Sequence, residues 1–375
     1  MNNLVLLYYP ALLVLLFFGA KVCKKGEWNE DLFSFKESKS FLGFCSVVII
    51  FHHAAQKTCA PWLDPNKTVH GLDLFVYMGY LMVAVFLFSS GYGMYTSYKS
   101  NKDCFKHYFV KRIFPVLTPT VIIWLTFFGL EKLRNIKVAK PIILNVYEYL
   151  WFIPAIIYLY IIFFIAFRII KKETLGVLFV IAGAVAYFIF CDLYSPGTWW
   201  YNTIHLFPVG VLTARHKEAI LKFLKKFYIP LIILSLVITV ISFMFAGYYY
   251  EILIMRNTPW DSKWFLDEYH HKTEIICQDI SAFFFVLFVM LLGMKIKTGN
   301  RVTSFLGKFT LETYLVHPLF VQLFGFAFIT AFSKPVFYIK NPFLYIAAII
   351  IPAIPLSYLL HKLIHGIKDK VIKKV

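Results

Sequence analysis

The chain has 375 residues, of which 60% are hydrophobic and only 15% are charged. An average soluble domain has roughly 45–50% apolar and about 25% charged residues, so this composition excludes a soluble globular protein, a disordered chain and a disulfide-stapled secreted module. The net charge of +18 would suggest nucleic acid in a soluble chain, but in a membrane protein it is typical of cytoplasmic loops. The sequence therefore predicts an integral membrane protein with no nucleic-acid partner.

Apolar runs of about 17–25 residues are long enough to cross a bilayer as helices. The chain contains eleven candidate runs, which predict an all-α, polytopic transmembrane helix bundle with ten to eleven spans. These runs are residues 4–20, 41–57, 79–98, 113–130, 146–167, 174–192, 199–214, 228–250, 275–294, 305–331 and 342–361.

The distribution of basic residues predicts the orientation. No Lys or Arg precedes the first run, whereas Lys21, Lys24 and Lys25 follow it directly. Because basic loops stay in the cytoplasm, we expect the N-terminus outside and the C-terminus in the cytoplasm, in a multi-pass protein of the cytoplasmic membrane. The outside loop 251–274 is acidic and carries two histidines, so it is either a contact for a hydrophilic substrate or an ordinary solvated loop.

Two histidines lie about three turns into the second run. Ionisable side chains at membrane depth cost a few kcal/mol each, so they indicate a function by default. At 100° per residue, one helical stripe holds Lys39, Leu42, Ser46 and His53, while His52 points about 100° away. Histidine exchanges a proton near neutral pH, so His53 is the candidate general base. The alternative is a buried histidine that bonds to a neighbouring helix.

Glu312 and His317 form a second polar group within an apolar run. They are five residues apart and therefore about 140° apart around a helix, so either can face a shared cavity although they do not pair on their own helix. Pro318 predicts a local break that orients His317. A structural hydrogen bond is the alternative for each side chain. His205, His361 and His365 are interpreted as structural or interfacial.

Lys111 and Arg112 stand at the cytoplasmic start of the fourth run. Arg can bind a phosphate through two hydrogen bonds, and Lys adds a point charge, so the pair is a candidate phosphate contact. Anchoring at the inner membrane surface is the alternative. The six cysteines form no CxxC pair, which argues against a metal cluster and a disulfide framework. The sequence predicts no metal site.

Six strings occur in order along most of residues 36–330: SKSFLGFCSVVIIFHHAAQ, GYLMVAVFLFSSGYGMY, YFVKRIFPVLTP, LWFIPAIIYLY, WYNTIHLFPVGVL and LGKFTLETYLVHPLF. Their shared order resembles the membrane-bound acyltransferase 3 family. The resemblance implies an extra N-terminal transmembrane helix with a cytoplasmic linker at residues 1–35, followed by an acyltransferase 3-like transmembrane domain at residues 36–375.

The first of these strings is similar to a family motif in which an arginine precedes a histidine by eleven positions. The family histidine falls on His53, and the family arginine falls on Leu42, which can neither hold acyl-CoA nor align the histidine. Lys39, one turn earlier on the same stripe, is the expected substitute because a lysine side chain can extend along a helix. Arg112 is another available cation.

The family moves an acyl group, most often acetyl, from cytoplasmic acyl-CoA to a hydroxyl on an extracytoplasmic acceptor. The resemblance therefore implies O-acetylation of a cell-surface polysaccharide or a lipid-linked sugar, with acyl-CoA as the donor substrate and no bound cofactor. The candidate catalytic residues are His53, on which the family histidine falls, and Glu312 and His317 as candidates to orient it. The candidate substrate contacts are Lys39, Ser46, Lys111, Arg112, Trp151 and Asn202.

Two other classes of function remain open at this point. A transporter or flippase for a glycan precursor also needs many helices and a few buried polar groups, but the two halves of the chain show none of the inverted repeats typical of secondary transporters. A catalytically silent relative that serves as a membrane partner is made plausible by Leu42.

Overall fold

A computed structural model describes residues 3–63, 68–133, 149–170, 172–194, 197–247, 270–325 and 339–374. Regular structure in these ranges is nearly all helical, which confirms the all-α expectation. The helices are α1 (Tyr8–Phe17), α2 (Phe35–Thr58), α3 (Gly79–Ser100), α4 (Tyr108–Arg112), α5 (Phe114–Leu133), α6 (Phe152–Phe164), α7 (Glu173–Tyr194), α8 (Leu206–Arg215), α9 (Lys217–Lys226), α10 (Tyr228–Gly247), α11 (His270–Gly293), α12 (Arg301–Leu306), α13 (Thr310–Phe324) and α14 (Pro342–Lys374). The exception is a ribbon of two antiparallel strands, β1 (Lys21–Val22) and β2 (Ile296–Lys297).

Within the described residues, six helices are long and apolar enough to cross a membrane, namely α2, α6 with the π-helical turn Ile165–Ile169 that follows it, α7, α10, α11 and α14. Three further apolar helices are shorter, at Leu4–Phe17, Phe114–Gly129 and Leu206–Arg215. These helices make the chain a membrane protein. The acidic part of the loop 251–274 and the start of the run 146–167 lie outside the described residues.

Two of the eleven expected runs have a different structure. The run 199–214 contains a helix of only ten residues, α8, because a 3₁₀ turn at Thr198–Trp200 occupies its polar start. Ten residues extend about 15 Å, roughly half of the hydrocarbon core. The run 305–331 is divided between α12 and α13 near Gly307. Pro318 does not break α13 as expected, because the helix continues through it to Phe324.

Close glycine contacts hold α2 against α12. A Cβ atom on Gly43 would overlap the carbonyl oxygen of Thr303, and a Cβ atom on Gly307 would overlap that of Lys39. Small residues at such contacts let membrane helices approach closely. The hydroxyls of Ser40 and Thr303 add a hydrogen bond of 2.6 Å at the same contact.

The contact between α2 and α12 sets the register of α13 along α2. Gly43 lies beside Gly307, and ten residues further along each of these two segments His53 lies beside His317. The two helices therefore run parallel. Helix α14 runs antiparallel to α13, since Tyr345 bonds to Val321 near one end and His361 bonds to Glu312 near the other. Helix α13 thus lies between α2 and α14.

Ion pairs concentrate at one end of the bundle. They join Lys99 and Arg215 to Glu173, Lys225 to Glu30, and Lys297 to Asp31. We call this the basic end; it also contains Lys39 and Arg112. The Lys297 ammonium bonds to Asp31 and holds the pKa of that carboxyl below its ordinary value. The strand ribbon lies here too, tying the segment after α1 to the segment after α11.

Candidate active site

Two imidazoles from different helices meet in the interior of the bundle. Nδ1 of His53 on α2 lies 2.6 Å from Nε2 of His317 on α13, and the two rings are 8° from parallel. Both residues are buried, with 8% of His53 and none of His317 exposed. The sequence proposed both residues separately, and the structure joins them in one hydrogen-bonded pair.

A backbone carbonyl fixes the direction of the hydrogen bonds in this pair. Nδ1 of His317 lies 2.7 Å from the carbonyl oxygen of Thr313, which can only accept, so Nδ1 of His317 is the donor. In the neutral imidazole, Nε2 of His317 then carries the lone pair and accepts the Nδ1 proton of His53. Nε2 of His53 is consequently left without a proton. It is the basic atom of the pair.

Aromatic side chains surround the pair. The ring of Tyr149 meets the His53 ring edge-on at 4.8 Å between centroids, and the Tyr314 hydroxyl donates to the carbonyl oxygen of Tyr149. The Lys57 ammonium lies over the Tyr149 ring, 5.9 Å from its centroid. In the part of the chain that the structure describes, no carboxylate is hydrogen-bonded to either imidazole. The pair therefore relies on a carbonyl, not on a carboxylate, for its orientation.

A cavity of about 700 Å³ lies beside α2 and opens at the basic end. Its walls come from α2, α3, the junction of α4 and α5, α6 and the start of α13. Exposed residues line the open end, including Phe35, Ser100 and Asn101. This volume is within the range of small-molecule binding sites.

The polar groups of the cavity are distributed unevenly. Lys39 and Arg112 lie at the open end, within electrostatic range of each other, and serine and threonine hydroxyls line the walls. Leu42 and Ser46 follow Lys39 along the cavity, so this part of the predicted stripe faces an internal space. Lys111 is exposed and does not line the cavity. A molecule with an anionic head and an apolar arm fits this arrangement.

The closed end of the cavity stops one helical turn before His53. Ile49, Phe152 and Tyr314 line this end, and neither His53 nor His317 is among the lining residues. Four residues of helix separate Ile49 from His53, a rise of about 6 Å. The Tyr314 ring lies 6.3 Å from that of His317, between the cavity and the histidine pair.

The other residues proposed from the sequence lie apart from the pair. Glu312 is buried and bonds to Nδ1 of His361 at 2.9 Å, not to His53. Trp151 is buried with its ring edge-on to Phe152, and Asn202 is buried with its amide bonded to Gln278 at 2.8 Å. Neither of these two residues lines the cavity.

His52 has its own partner. Its Nδ1 lies 2.9 Å from the carbonyl oxygen of Phe75, and its ring packs where a side chain on Gly79 would have to be. This is the arrangement of a histidine that is satisfied by a neighbouring segment. Of the two adjacent histidines, His53 is therefore the one that faces α13.

Three residues that orient or enclose the histidine pair are not predicted from the sequence, namely Tyr149, Thr313 and Tyr314. Nothing in the sequence distinguishes Tyr149 or Tyr314 from the many other tyrosines of the chain. Both acquire a role only when α13 packs against α2 and α6. Thr313 was recognisable as the residue one helical turn before His317, whose carbonyl is within reach of an i, i+4 side chain.

Comparison with known families identifies the chain. A family model described as an acyltransferase domain, Acyl_transf_3, matches residues 43–362, which include both members of the histidine pair. No curated protein and no solved structure matches the chain. The match covers most of the chain and agrees with the resemblance found in its motifs. The chain therefore belongs to the acyltransferase 3 family, and its activity is of the acyltransferase type.

Proposed function

We propose that the protein is an integral membrane O-acyltransferase that moves an acyl group, in the simplest case acetyl, from acyl-CoA to a hydroxyl of a cell-surface glycan or a lipid-linked sugar. The observation that carries the proposal is the position of the His53–His317 pair, one helical turn beyond the closed end of a cavity with cations at its opening. A base, a donor cavity and a cationic opening are the parts that this reaction needs.

The cationic opening suits the donor. The nucleotide of CoA carries phosphates, and Lys39 and Arg112 are the basic side chains that line the cavity. From there the pantetheine arm extends past Leu42 and Ser46, and the thioester comes to lie near Ile49 and Tyr314. Leu42 stands where the family has arginine, so we assign the phosphate contact of that arginine to Lys39, which lies one turn nearer the opening.

His53 acts as the general base in the proposed transfer. Its Nε2 removes the proton of the acceptor hydroxyl while the hydroxyl oxygen attacks the thioester carbonyl. The carbon–sulfur bond then breaks, and the CoA thiolate takes the proton back from Nε2. During the reaction His317 accepts the Nδ1 proton of His53 in a hydrogen bond and stabilises the imidazolium, so it is a positioning residue.

The closed end of the cavity favours a short acyl group. The acyl chain must pass Tyr314 and Phe152 to reach His53, over a distance of about one helical turn. Acetyl is short enough to do so with a small side-chain rotation, whereas a long chain needs space that Ile49 and Phe152 fill. We therefore propose acetyl-CoA as the donor.

The acceptor approaches from the end opposite to the basic end. We propose that the chain crosses the cytoplasmic membrane ten to eleven times, with the N-terminus outside and the basic end and C-terminus in the cytoplasm. The ion pairs of the basic end support this orientation, since their residues belong to segments that the positive-inside rule assigns to the cytoplasm. Buried Asn202, whose Oδ1 has no hydrogen-bond partner among the described residues, is a proposed contact for an acceptor hydroxyl.

The direct test uses purified protein in liposomes with radiolabelled acetyl-CoA and an extract of the cell-surface glycans. We expect release of the CoA thiol and transfer of label to glycan. Mass spectrometry of surface glycans with and without the gene identifies the acceptor by its loss of acetyl groups. Movement of a glycan precursor without thioester cleavage would contradict the proposal and favour a flippase, and acetyl-CoA binding without turnover would favour a silent relative.

A further inference from the structure

A second group of histidines lies on the other side of α13 and does not line the cavity. Oε1 of Glu312 lies 2.9 Å from Nδ1 of His361, and the rings of His361 and His365 have centroids 3.9 Å apart. One potential ligand atom from each of the three residues lies within 4.8 Å of the other two. We call these three residues the inner cluster. Glu312 comes from α13, whereas both histidines come from α14.

The two histidines are spaced for joint binding. Residues four apart in a helix lie on one face, one above the other, so both imidazoles can reach the same ion. Nδ1 of His365 lies 3.1 Å from the carbonyl oxygen of His361 and must donate to it. This hydrogen bond leaves Nε2 of His365 with its lone pair and fixes the ring. Outer hydrogen bonds of this kind orient the histidine ligands of metal sites.

Burial distinguishes the inner cluster from a surface ion pair. Only 5% of the Glu312 side chain and 19% of the His361 side chain are exposed. Among the described residues, the cations that face the cluster are Lys39 from α2 and Lys368 from α14, each within electrostatic range of Glu312 or His365. A buried carboxylate beside two imidazoles gives the mixed oxygen and nitrogen ligands that Zn²⁺ accepts.

We propose that Glu312, His361 and His365 bind one Zn²⁺ ion, which fastens the C-terminal helix α14 to the start of α13. Zn²⁺ bonds to nitrogen and oxygen at about 2.0–2.2 Å, so its tetrahedral ligands are about 3.4 Å apart, a separation that small rotamer changes of these side chains reach. The ion takes the place of the Nδ1 proton of His361, which moves to Nε2 of the same ring. Water supplies the fourth ligand.

The site is distinct from the proposed acyl-transfer site. Thr310 and Leu311 line the cavity, and Glu312 is the next residue, directed to the opposite side of the helix. The ion therefore stabilises the helix that forms one cavity wall without contacting the donor. The inference goes beyond the proposed function and does not rest on it.

The test measures zinc directly in the full-length chain, purified in detergent through an affinity tag without histidines. Protein that has been stripped with EDTA is loaded with ZnCl₂, desalted and analysed by mass spectrometry for metal per chain. We expect about one Zn²⁺ per wild-type chain and about one-tenth of this in His365→Ala and Glu312→Gln. His216→Ala removes an exposed imidazole from another helix junction and should bind as the wild type does.

The comparison of variants also excludes binding by cysteines. The chain has free cysteines that are partly exposed, such as Cys23 and Cys104, and these remain in every variant. Equal zinc content in His365→Ala and His216→Ala, or a wild-type chain that retains none, would overturn the proposal. If His365→Ala does not fold, the wild type alone decides: zinc should raise its unfolding temperature by at least about 3 °C above that in EDTA, and an unchanged temperature would overturn the proposal.

Discussion

Helix α13 carries a histidine site on each of two faces, and the two sites differ in composition. On the face toward α2, His317 holds His53 in a buried pair, and among the described residues its other hydrogen-bond partner is the Thr313 carbonyl. On the face toward α14, Glu312 meets His361 and His365. The first site leaves one basic nitrogen atom free, whereas the second gathers several lone pairs around one point.

The two sites indicate that the groups bonded to a histidine determine whether it acts as a base or as a metal ligand. A carboxylate next to two imidazoles attracts a cation, which would occupy the lone pair that a general base needs. The carbonyl of Thr313 accepts a proton but brings no net charge, so the lone pair of His53 stays available. Five residues of helix are enough to separate the two environments, because they turn the side chains about 140° apart.

The largest expected effect comes from His53→Ala. Removal of the general base should lower kcat for acyl transfer by about 10²–10⁴-fold, while the KM for acyl-CoA changes little because Lys39 and Arg112 remain. Steady-state kinetics in liposomes measure both constants, with His216→Ala as the matched control. Transfer that is unchanged in His53→Ala would refute the assigned base. The zinc content of His53→Ala should equal that of the wild type, because His53 is not one of the proposed zinc ligands.

The second-largest effect is expected from variants of His317, which test its positioning role. His317→Leu removes the acceptor of the His53 proton and should lower kcat about 10–100-fold, because one buried hydrogen bond to a group that becomes charged is lost. His317→Gln retains an acceptor oxygen near the position of Nε2 and should recover part of the rate. Equal rates for the Leu and Gln variants would contradict the hydrogen-bond role, and a kinetic pH profile shows whether the base itself has changed.

The third effect concerns the cation at the cavity opening. Lys39→Ala should raise the KM for acyl-CoA about tenfold without a comparable change in kcat, since a charge-assisted contact to phosphate is lost. Leu42→Arg, added to Lys39→Ala, returns a cation to the same wall and should restore much of the affinity. If the double variant binds no better than Lys39→Ala, the proposal that Lys39 replaces the family arginine is wrong.

The smallest effect compares two adjacent basic residues. Arg112 lines the cavity and Lys111 is exposed, although sequence reasoning treated them alike. Arg112→Ala should raise the KM for acyl-CoA about threefold, whereas Lys111→Ala should change it by less than about 1.5-fold, since an exposed charge in water contributes little. Steady-state kinetics measure the two KM values, and competition binding with CoA shows whether the affinity for the donor changes in the same way. Equal effects would show that general surface charge attracts the donor.

Local periodicity predicted one wall of the cavity. Lys39, Leu42 and Ser46 were assigned to a single stripe from helical spacing alone, and all three line the internal space. The same stripe also contains His53, but His53 does not line the cavity, which stops at Ile49. Spacing gives the direction of a side chain, but the depth of a cavity depends on residues from other helices, here Phe152 and Tyr314.

The sequence does not predict which residues from distant helices come into contact. His53 and His317 meet because Gly43 and Gly307 let α2 and α12 approach, and that contact fixes the register of the next helix. The sequence predicts only a structural or interfacial role for His361 and His365, because it does not indicate that α14 packs against the turn of α13 that carries Glu312. The run 199–214 is a candidate span by hydropathy, although it is short and polar at its start, because hydropathy does not detect the 3₁₀ turn there.

The central claim is that the acyl end of the donor enters the cavity and points toward His53. An acyl-CoA analogue with a photoreactive group at the end of a short acyl chain tests this claim, when cross-linked peptides of the full-length protein are identified by mass spectrometry. We predict labels on Ile49, Tyr314 or His53 that acetyl-CoA competes away. Labels confined to α14 or to exposed residues of the basic end would contradict the account.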